Sequence, residues 1–137
     1  MRNIIRLSGL TTLLIIALTA CQGLIVGNSE VITETRDVSG FNHIDVSGNG
    51  NAVIRFGEDY ALEIEAESNL MDYLTSDVRG DELVLGIADQ VGINATRPIT
   101  YTITLPTLEA IDLSGNSSAV VPDAVLDGTF SLDLSGA

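Results

Sequence analysis

The sequence predicts an all-β fold that is antiparallel at the start and passes into a parallel β-solenoid. Apolar and polar residues alternate with a period of two, glycines interrupt the chain about every ten residues, and one six-residue phrase occurs three times. Strict alternation is typical of strands with one buried and one wet face. Only residues 68–74 (SNLMDYL) indicate a helical turn, with Ser68 or Asn69 as its N-cap.

The N-terminal segment has the organisation of an export signal. Arg2 and Arg6 form a positive n-region, and residues 7–18 (LSGLTTLLIIAL) form an apolar run too short to cross a bilayer as a stable helix. The sequence LTAC at 18–21 then resembles the lipobox of bacterial lipoproteins, which implies cleavage before Cys21 and lipid attachment to its thiol. An ordinary signal peptide, or an anchor helix that ends near a cysteine, is the alternative.

The predicted organisation is a lipoprotein signal peptide at 1–20, a lipidated cysteine with a short tether at 21–29, and one β domain at 30–137. About 117 residues are enough to bury the core of a single domain. Cys21 is the only cysteine, so no disulfide can form within the chain.

The charge of the mature chain excludes one class of partner. Without residues 1–20, four arginines face 19 acidic residues, a formal charge of −15, and the chain has no lysine. Such a charge repels nucleic acid and anionic lipid headgroups. We therefore expect no nucleic-acid partner, and a cell-envelope location outside the cytoplasm in which the lipid anchor alone attaches the protein to a membrane.

Two stretches show the strand pattern most clearly. In residues 61–67 (ALEIEAE), small or apolar residues alternate with Glu63, Glu65 and Glu67, and in residues 99–105 (ITYTITL) apolar residues alternate with threonines. Both stretches are predicted strands, and the three glutamates are expected on a wet face.

The repeated phrase predicts how the strands stack. It reads IDVSGN at 44–49, IDLSGN at 111–116 and LDLSGA at 132–137. The last two copies are 21 residues apart, so like residues are expected to stack in adjacent coils of a solenoid. The first copy lies 67 residues upstream, which is not a multiple of 21, and we expect it in a different, antiparallel part of the sheet.

The 21-residue register also predicts the side chains that meet. Leu113 and Leu134 are expected to be buried neighbours in adjacent coils, while Asp112 and Asp133 face solvent.

Two motifs in a fixed order carry a resemblance to a known family. The first is an F-x-x-I-x-V-S-G phrase followed by a strand that ends in glycine, and the second is a P-x-L-x-x-I-x-L-S-G phrase. They correspond here to Phe41, Ile44, Val46, Ser47, Gly48, Val53 and Gly57, and then to Pro106, Leu108, Ile111, Leu113, Ser114 and Gly115. Over residues 31–137 the chain resembles the putative auto-transporter adhesin head GIN domain family.

The resemblance implies a right-handed, single-stranded β-helix-like solenoid in a protein that is usually exported, and the word adhesin implies binding. Family domains carry further coils after the second motif, whereas this chain ends at Ala137. A solenoid normally closes with a cap, because an open edge presents unpaired backbone groups. We therefore expect C-terminal coils to be missing from this sequence.

One strand carries the residue types of a hydrolase triad, His43, Asp45 and Ser47. Same-face neighbours along a strand lie about 6.5 to 7 Å apart, too far for the hydrogen bonds of about 3 Å that a triad requires. His43 is the only histidine, and no G-x-S-x-G turn is present. The sequence predicts no catalytic residue and no enzyme activity.

Asp112 and Asp133 are weak candidates for a metal site. Their carboxylates would lie about 4.8 Å apart in adjacent coils, with Ser114 and Ser135 nearby. Calcium takes about six to eight oxygens, more than these residues supply. We interpret the pair as surface charge screened by solvent, and predict no metal and no cofactor.

Two further motifs are interpreted as turns. Residues 79–81 spell RGD, an integrin-recognition tripeptide, but Gly80 and Asp81 are ordinary turn residues between two predicted strands. Residues 47–51 (SGNGN) lack the lysine and the following helix of a phosphate-binding loop.

The predicted function is that of an exported, lipid-anchored envelope protein with a non-enzymatic adhesin or binding solenoid, whose ligand is a surface protein or a glycan. One alternative is a polysaccharide-active β-helix enzyme with its site in the missing coils, and another is a structural surface spacer. Aromatic residues make up 4% of the chain and tryptophan is absent, so the sequence gives little support to a sugar groove built on aromatic platforms.

Overall fold

A computed structural model describes residues 23–122 and 131–135 of the chain. The predicted export signal and Cys21 therefore lie outside the described residues. Within these described residues, the regular structure comprises twelve strands (β1–β12) and one short 3-10 helix. In chain order the strands are Ile25–Val26, Val31–Arg36, His43–Gly48, Asn51–Phe56, Ala61–Glu67, Leu74–Arg79, Glu82–Ile87, Ile93–Asn94, Thr100–Leu105, Ala110–Gly115, Ser118–Val120 and Ser131–Ser135, and the 3-10 helix is Met71–Tyr73.

The strands form two five-stranded sheets and one two-stranded ribbon. The first sheet has the order β12-β10-β3-β7-β6, the second has the order β11-β4-β9-β5-β2, and the ribbon joins β1 to β8. The prediction of an all-β fold is confirmed. Both large sheets are mixed, because antiparallel pairs (β6–β7, β5–β9 and β2–β5) lie at one end of each sheet and parallel pairs at the other.

The three copies of the repeated phrase lie side by side in the first sheet. Strand β10 pairs in parallel with β12, with Leu113 opposite Leu134, so the 21-residue register is confirmed. Strand β10 also pairs in parallel with β3, in a register that places Ile111 opposite Ile44. The expectation that the first copy belongs to a separate, antiparallel part of the sheet is therefore wrong.

The path of the chain explains the spacing of 67 residues. After β3 and β4, the chain builds β5 to β9 on one side of this pair, with β7 parallel to β3 and β9 parallel to β4. It then crosses to the other side, where β10 joins β3 and β11 joins β4. The first copy is thus the middle row of the stack, and the spacing is the length of that excursion.

One apolar core lies between the two sheets. Alternate residues of each central strand are buried, as the period-two pattern predicts, and they include Ile44 and Val46 from β3 and Tyr101 and Ile103 from β9. Phe41 enters the core from the segment before β3 and packs on Tyr60 with ring centroids 5.0 Å apart. Aromatic pairs at this distance add to the stabilisation that burial alone provides.

Glycine is required where β3 turns into β4 and where β10 turns into β11. Gly48 has φ +96° and Gly115 has φ +74°, in the left-handed region that disfavours other residues. A Cβ atom on Gly115 would also lie 2.6 Å from the backbone oxygen of Gly48 in the adjacent row. The Ser-Gly pair of the repeated phrase is therefore the element that turns the chain from the first sheet to the second.

Glu67 differs from the sequence prediction of a wet face. Glu63 and Glu65 are exposed, but Glu67, the last residue of β5, is completely buried. Its carboxylate accepts hydrogen bonds from Ser29 N at 2.7 Å and Thr96 N at 2.8 Å, and also from the Thr96 hydroxyl and from Arg97 N. Two segments far apart in the sequence thus cover this end of the outer face.

The contacts around Glu67 also fix the first residues of the domain in place. From Ile25 onward the segment predicted as a tether lies against the sheets, because β1 pairs with β8 and the Asn69 amide donates to Val26 O at 2.8 Å. A Cβ atom on Gly27 would overlap the Glu67 carboxylate. The prediction that Ser68 or Asn69 is the N-cap is wrong, because the 3-10 helix begins after Leu70 and has no side-chain cap.

Strand β12 is exposed along its whole length. Leu113 is 8% exposed, but Leu134 is 70% exposed and Leu132 is 53% exposed. Within the described residues no strand pairs with the outer edge of β12. The expectation that Leu134 is buried is therefore wrong for this structure, although its neighbour in the stack is the predicted one.

The difference between these two leucines can be measured. Leu113→Ala should lower the free energy of unfolding by roughly 2 to 5 kcal/mol, because it leaves a cavity between the sheets. Leu134→Ala, the same change one row away, should lower it by no more than about 0.5 kcal/mol. Chemical denaturation of the two variants provides the comparison, and equal losses would contradict the exposure of β12.

The hydrogen bonds to Glu67 predict that the stability of the fold decreases at low pH. Burial is the largest influence and raises the pKa of Glu67, but the hydrogen bonds from Thr96, Ser29 and Arg97 together hold it below its ordinary value of 4.5. The ionised carboxylate therefore contributes stability that is fully present above pH 4.5 and is lost as the pH falls through the folded-state pKa.

Glu67→Gln should consequently lower the melting temperature at pH 7, and its difference from wild type should shrink below pH 4.5. Glu65→Gln, an exposed change on the same strand, is the control and should have little effect. A deficit of Glu67→Gln that stays constant with pH would contradict the role of the ionised carboxylate.

Candidate functional site

A polar cleft forms where successive rows of the stack turn from the first sheet to the second. In the middle row the turn is Gly48 to Asn51, and in the next row it is Gly115 to Ser118. Asn116 N donates to Gly48 O at 2.8 Å and Ser118 N donates to Gly50 O at 3.0 Å, so the two turns stack residue upon residue. Backbone hydrogen bonds thus join the turn of one row to the turn of the next.

The cleft has a volume of about 410 Å³ and is open to solvent. One wall is the pair of stacked turns, and the other is the segment that leads into β9. Its lining consists of Asn49, Gly50, Asn51, Ala95, Thr96, Arg97, Pro98, Ile99 and Asn116. The polar groups are therefore three amides, one hydroxyl and one guanidinium.

Two of the three amides are available to a ligand. Asn51 accepts a hydrogen bond from the Ser118 hydroxyl at 2.7 Å. Asn49 and Asn116 are exposed, and within 23–122 and 131–135 their side chains form no hydrogen bond with the protein. They follow Gly48 and Gly115, which are opposite each other in register, so they occupy equivalent positions in adjacent rows. Each amide offers two donors and one acceptor.

The other wall is positioned by Glu67. Thr96 and Arg97 donate their backbone N–H groups to its buried carboxylate, at 2.8 and 3.3 Å. The Arg97 side chain is exposed and forms no ion pair with any described residue. Since the backbone contacts do not use the guanidinium, the cleft carries one positive charge that is free to meet a ligand.

Tyr101 lies beneath Gly50, one of the residues that line the cleft, but does not itself line it. A Cβ atom on Gly50 would lie 2.5 Å from the Tyr101 ring, so glycine allows the turn to approach the ring closely. Tyr101 is only 1% exposed, and burial raises the pKa of its hydroxyl to about 12, against a small lowering by Arg36. The phenol therefore stays neutral at physiological pH, and its ring contacts the protein instead of a ligand.

A row of three aspartates runs across the first sheet, and we call Asp45, Asp112 and Asp133 the aspartate row. Asp112 is the register partner of both Asp45 and Asp133, so the predicted pair is extended by a third member. Burial, and secondly the charge of Asp112, raise the pKa of Asp45, while Arg79 acts to lower it. Among the described residues no three acidic, histidine or cysteine side chains converge to hold a metal ion.

The residue types of a hydrolase triad do not interact with one another. His43 Nε2 lies 3.6 Å from Glu109 Oε2, at the edge of the next row. The Ser47 hydroxyl donates to Leu85 O at 3.2 Å. His43 and Ser47 therefore contact different residues and not each other, as their predicted separation along β3 requires.

The RGD tripeptide lies in the predicted hairpin turn. Strands β6 and β7 pair through Arg79 and Glu82, and Gly80 between them has φ +67°. The Arg79 guanidinium lies 3.9 Å from the carboxylate of Asp77, and both are exposed residues of β6. The SGNGN segment also turns, as predicted, and forms one wall of the cleft.

The cleft itself was not predicted from the sequence. Asn49 and Asn116 follow the Ser-Gly pair in the first two copies of the repeated phrase, so Ser-Gly-Asn occurring twice in the chain is a signal for stacked turns. Nothing local indicates that residues 95–98 come to face these turns, because their position depends on Glu67, which is about 30 residues away in the sequence. In the part of the chain that the structure describes, no helix is long and apolar enough to cross a membrane.

Residues 40–137 match the model of the family described as "Putative auto-transporter adhesin, head GIN domain". No curated protein matches the chain.

Several solved structures are similar to this chain in fold. A putative adhesin from Bacteroides fragilis has a TM-score of 0.73 and 22% identity, and the match covers 82% of this chain and 53% of that one. A putative lipid binding protein from Parabacteroides distasonis has a TM-score of 0.65 and 18% identity, with 72% and 44% covered. A putative adhesin from Parabacteroides merdae has a TM-score of 0.65 and 18% identity, with 82% and 55% covered. The chain spans about half the length of these proteins.

The aspartate row predicts a stabilising substitution. Like charges in directly opposite positions of adjacent strands destabilise a sheet, so Asp45→Asn should raise the free energy of unfolding at pH 7 by roughly 0.2 to 1 kcal/mol. Because the pKa of Asp45 is raised, the gain should disappear as the pH falls and the wild-type carboxyl becomes protonated. Asp59→Asn, outside the row, is the control in denaturation at both pH values, and an equal gain there would contradict the prediction.

Proposed function

The chain belongs to the putative auto-transporter adhesin head GIN domain family, and on this premise we propose that it is an exported, lipid-anchored cell-envelope protein whose β domain binds a surface ligand without catalysis. The family description and the adhesin fold of the related structures support a surface role. The observation that carries the binding role is the polar cleft, with two free amides and a free guanidinium along one edge of the stack.

The chemistry of the cleft favours binding over hydrolysis. Cleavage of a glycosidic bond ordinarily requires a pair of carboxyl groups, one on each side of the bond. No carboxylate is among the residues that line this cleft in the described part of the chain. Glu67, which contacts Thr96 and Arg97 of the lining, is buried and accepts hydrogen bonds from their backbone N–H groups. The aspartate row lies on the first sheet and contributes nothing to the lining.

The cleft is also better suited to a polar ligand than to an acyl chain. One related structure is that of a putative lipid binding protein. In this chain the cleft presents amide, hydroxyl and guanidinium groups, whereas the large apolar side chains lie in a core shared by the two sheets. Acyl-chain sites are lined mostly by apolar side chains.

The arrangement of rows supports a parallel β-helix-like solenoid for the part of the domain beyond the antiparallel strands, and the family resemblance implies that it is right-handed. Strands β7, β3, β10 and β12 are parallel and in register, and β9, β4 and β11 repeat this order in the second sheet. Stacked rows of this kind present equivalent residues at a constant spacing along an extended surface.

The lipid anchor is supported by the sequence that precedes the domain. A positive n-region, a short apolar run and a lipobox-like LTAC lead to Cys21, the only thiol in the chain. The formal charge of −15 after cleavage gives the domain no electrostatic attraction to an anionic membrane surface. Covalent lipid is then the means by which the domain stays at the membrane.

Cys21→Ser tests the anchor. With two or more acyl chains the wild-type protein should be stably attached, since each buried methylene contributes about 0.8 kcal/mol. We expect wild type to fractionate with membranes and to partition into detergent, and Cys21→Ser to stay uncleaved or to be soluble outside the cytoplasm. Intact-mass analysis of wild type should show a lipid-modified Cys21, and an unmodified thiol would refute the anchor.

The binding role has a separate test. Cells that display the wild-type protein should adhere to a glycan- or protein-coated surface more strongly than cells without it, with no release of soluble fragments from the coating. Release of fragments by the purified protein would identify it as an enzyme. Equal adhesion of the two cell types to every coating would favour a structural spacer.

A further inference from the structure

We propose that the cleft binds a sugar residue that carries a single carboxylate, as in a disaccharide that contains a uronic acid. This inference rests on the binding role proposed above and names the chemistry of the ligand. It follows from the charge of the cleft, from the spacing of its amides and from the absence of an aromatic side chain among the residues that line it in the described part of the chain.

The charge of the cleft favours a ligand with one anionic group. Arg97 is the only charged side chain in the lining, and it has no carboxylate partner among the described residues. A planar guanidinium can bind a carboxylate through two parallel hydrogen bonds. The whole mature chain nevertheless has 19 acidic residues and four arginines, so a long polyanion would be repelled away from this point. One carboxylate in an otherwise neutral ligand satisfies both conditions.

The spacing of the amides favours a sugar over a peptide. Asn49 and Asn116 occupy equivalent positions in adjacent parallel rows, which are separated by about 4.8 Å. That period is comparable with the length of one pyranose ring, so each amide can meet the hydroxyl groups of a different sugar residue. An extended peptide presents its same-face groups about 6.5 to 7 Å apart and would fall out of step with the rows.

The order of the rows sets the order of these groups across the cleft. Strand β4, which follows Asn49, pairs on one side with β9, which follows Arg97, and on the other side with β11, which follows Asn116. Asn116 lies on the opposite side of Asn49, in the next row. A ligand that places its carboxylate at Arg97 therefore extends its hydroxyl groups toward Asn49 and then Asn116.

The lack of an exposed aromatic ring in the lining explains why the carboxylate is necessary. Neutral sugars commonly gain affinity by stacking their apolar faces on exposed aromatic rings, which combine a large apolar face with a specific geometry. Tyr101 is 1% exposed and lies below Gly50, so it offers no such platform. The scarcity of aromatic residues thus disfavours neutral sugars here, while hydrogen bonds to a charged group are stronger than those between neutral groups.

The test uses the full chain, purified in detergent, and two disaccharides that differ in one group. The probe is glucuronic acid linked to N-acetylglucosamine, and its partner has glucose in place of glucuronic acid. We expect the probe to shift the side-chain amide NMR signals of Asn49 and Asn116, and to bind at least roughly tenfold more tightly than the neutral partner at low salt. Equal affinity of the two disaccharides, or no binding of either, would overturn the proposal.

Arg97→Gln locates the carboxylate, because the backbone N–H that binds Glu67 is retained. This variant should lose the preference for the charged disaccharide, whereas Arg55→Gln, which removes the same charge from an exposed position outside the cleft, should keep it. A preference that survives Arg97→Gln at an unchanged melting temperature would refute the assignment. The double change Asn49→Ala and Asn116→Ala should weaken binding of both disaccharides.

A peptide provides the remaining comparison. An acetylated tripeptide with a free C-terminal carboxylate should bind more weakly than the charged disaccharide. The same tripeptide with an amidated C-terminus should give no binding signal above that of buffer alone. Tighter binding of the free-acid peptide would overturn the sugar assignment in favour of a protein terminus. If no disaccharide binds while displayed protein still promotes adhesion, only the ligand class is wrong and the binding role remains.

Discussion

The in-register parallel pairing of β3, with β7 on one side and β10 on the other, is the constraint on which the rest of the structure depends. Side chains alternate between the two faces of a strand, so a slip of one residue would turn Ile44 and Val46 out of the core. The same register brings Gly48 opposite Gly115, which lets the chain turn between the sheets at equivalent places in successive rows.

That register has a cost as well as a benefit. In its first two copies the repeated phrase buries an apolar residue at every second position, and the shared register stacks Asp45, Asp112 and Asp133 on the opposite face. Like charges in adjacent rows repel one another, and after burial, which is the larger cause, the charge of Asp112 contributes to the raised pKa of Asp45. Solvent on the outer face and Arg79 nearby moderate this repulsion, so the hydrophobic contacts prevail.

Glu67 is the polar counterpart of the core. A buried carboxylate is tolerated only when it is well supplied with hydrogen bonds, and this one receives three backbone N–H groups and one hydroxyl. The contacts join the first strands of the domain to residues 96–97, and so fix the wall of the cleft that carries Arg97. The Glu67 side chain thus fixes both the position of the N-terminal segment and the shape of the proposed binding site.

The sequence by itself determined the all-β class, the 21-residue register of β10 and β12, the turn at RGD and the resemblance to the family, because each of these depends on local periodicity or on the order of short motifs. It was wrong about the first copy of the repeat, about the wet face of Glu67 and about the burial of Leu134. These three depend on which segments pass over which strands, and alternation along one strand does not specify its neighbours. Only the tertiary structure decided that β3 is the middle row and that residues 95–98 face the stacked turns, since both follow from contacts between residues about 30 to 70 positions apart.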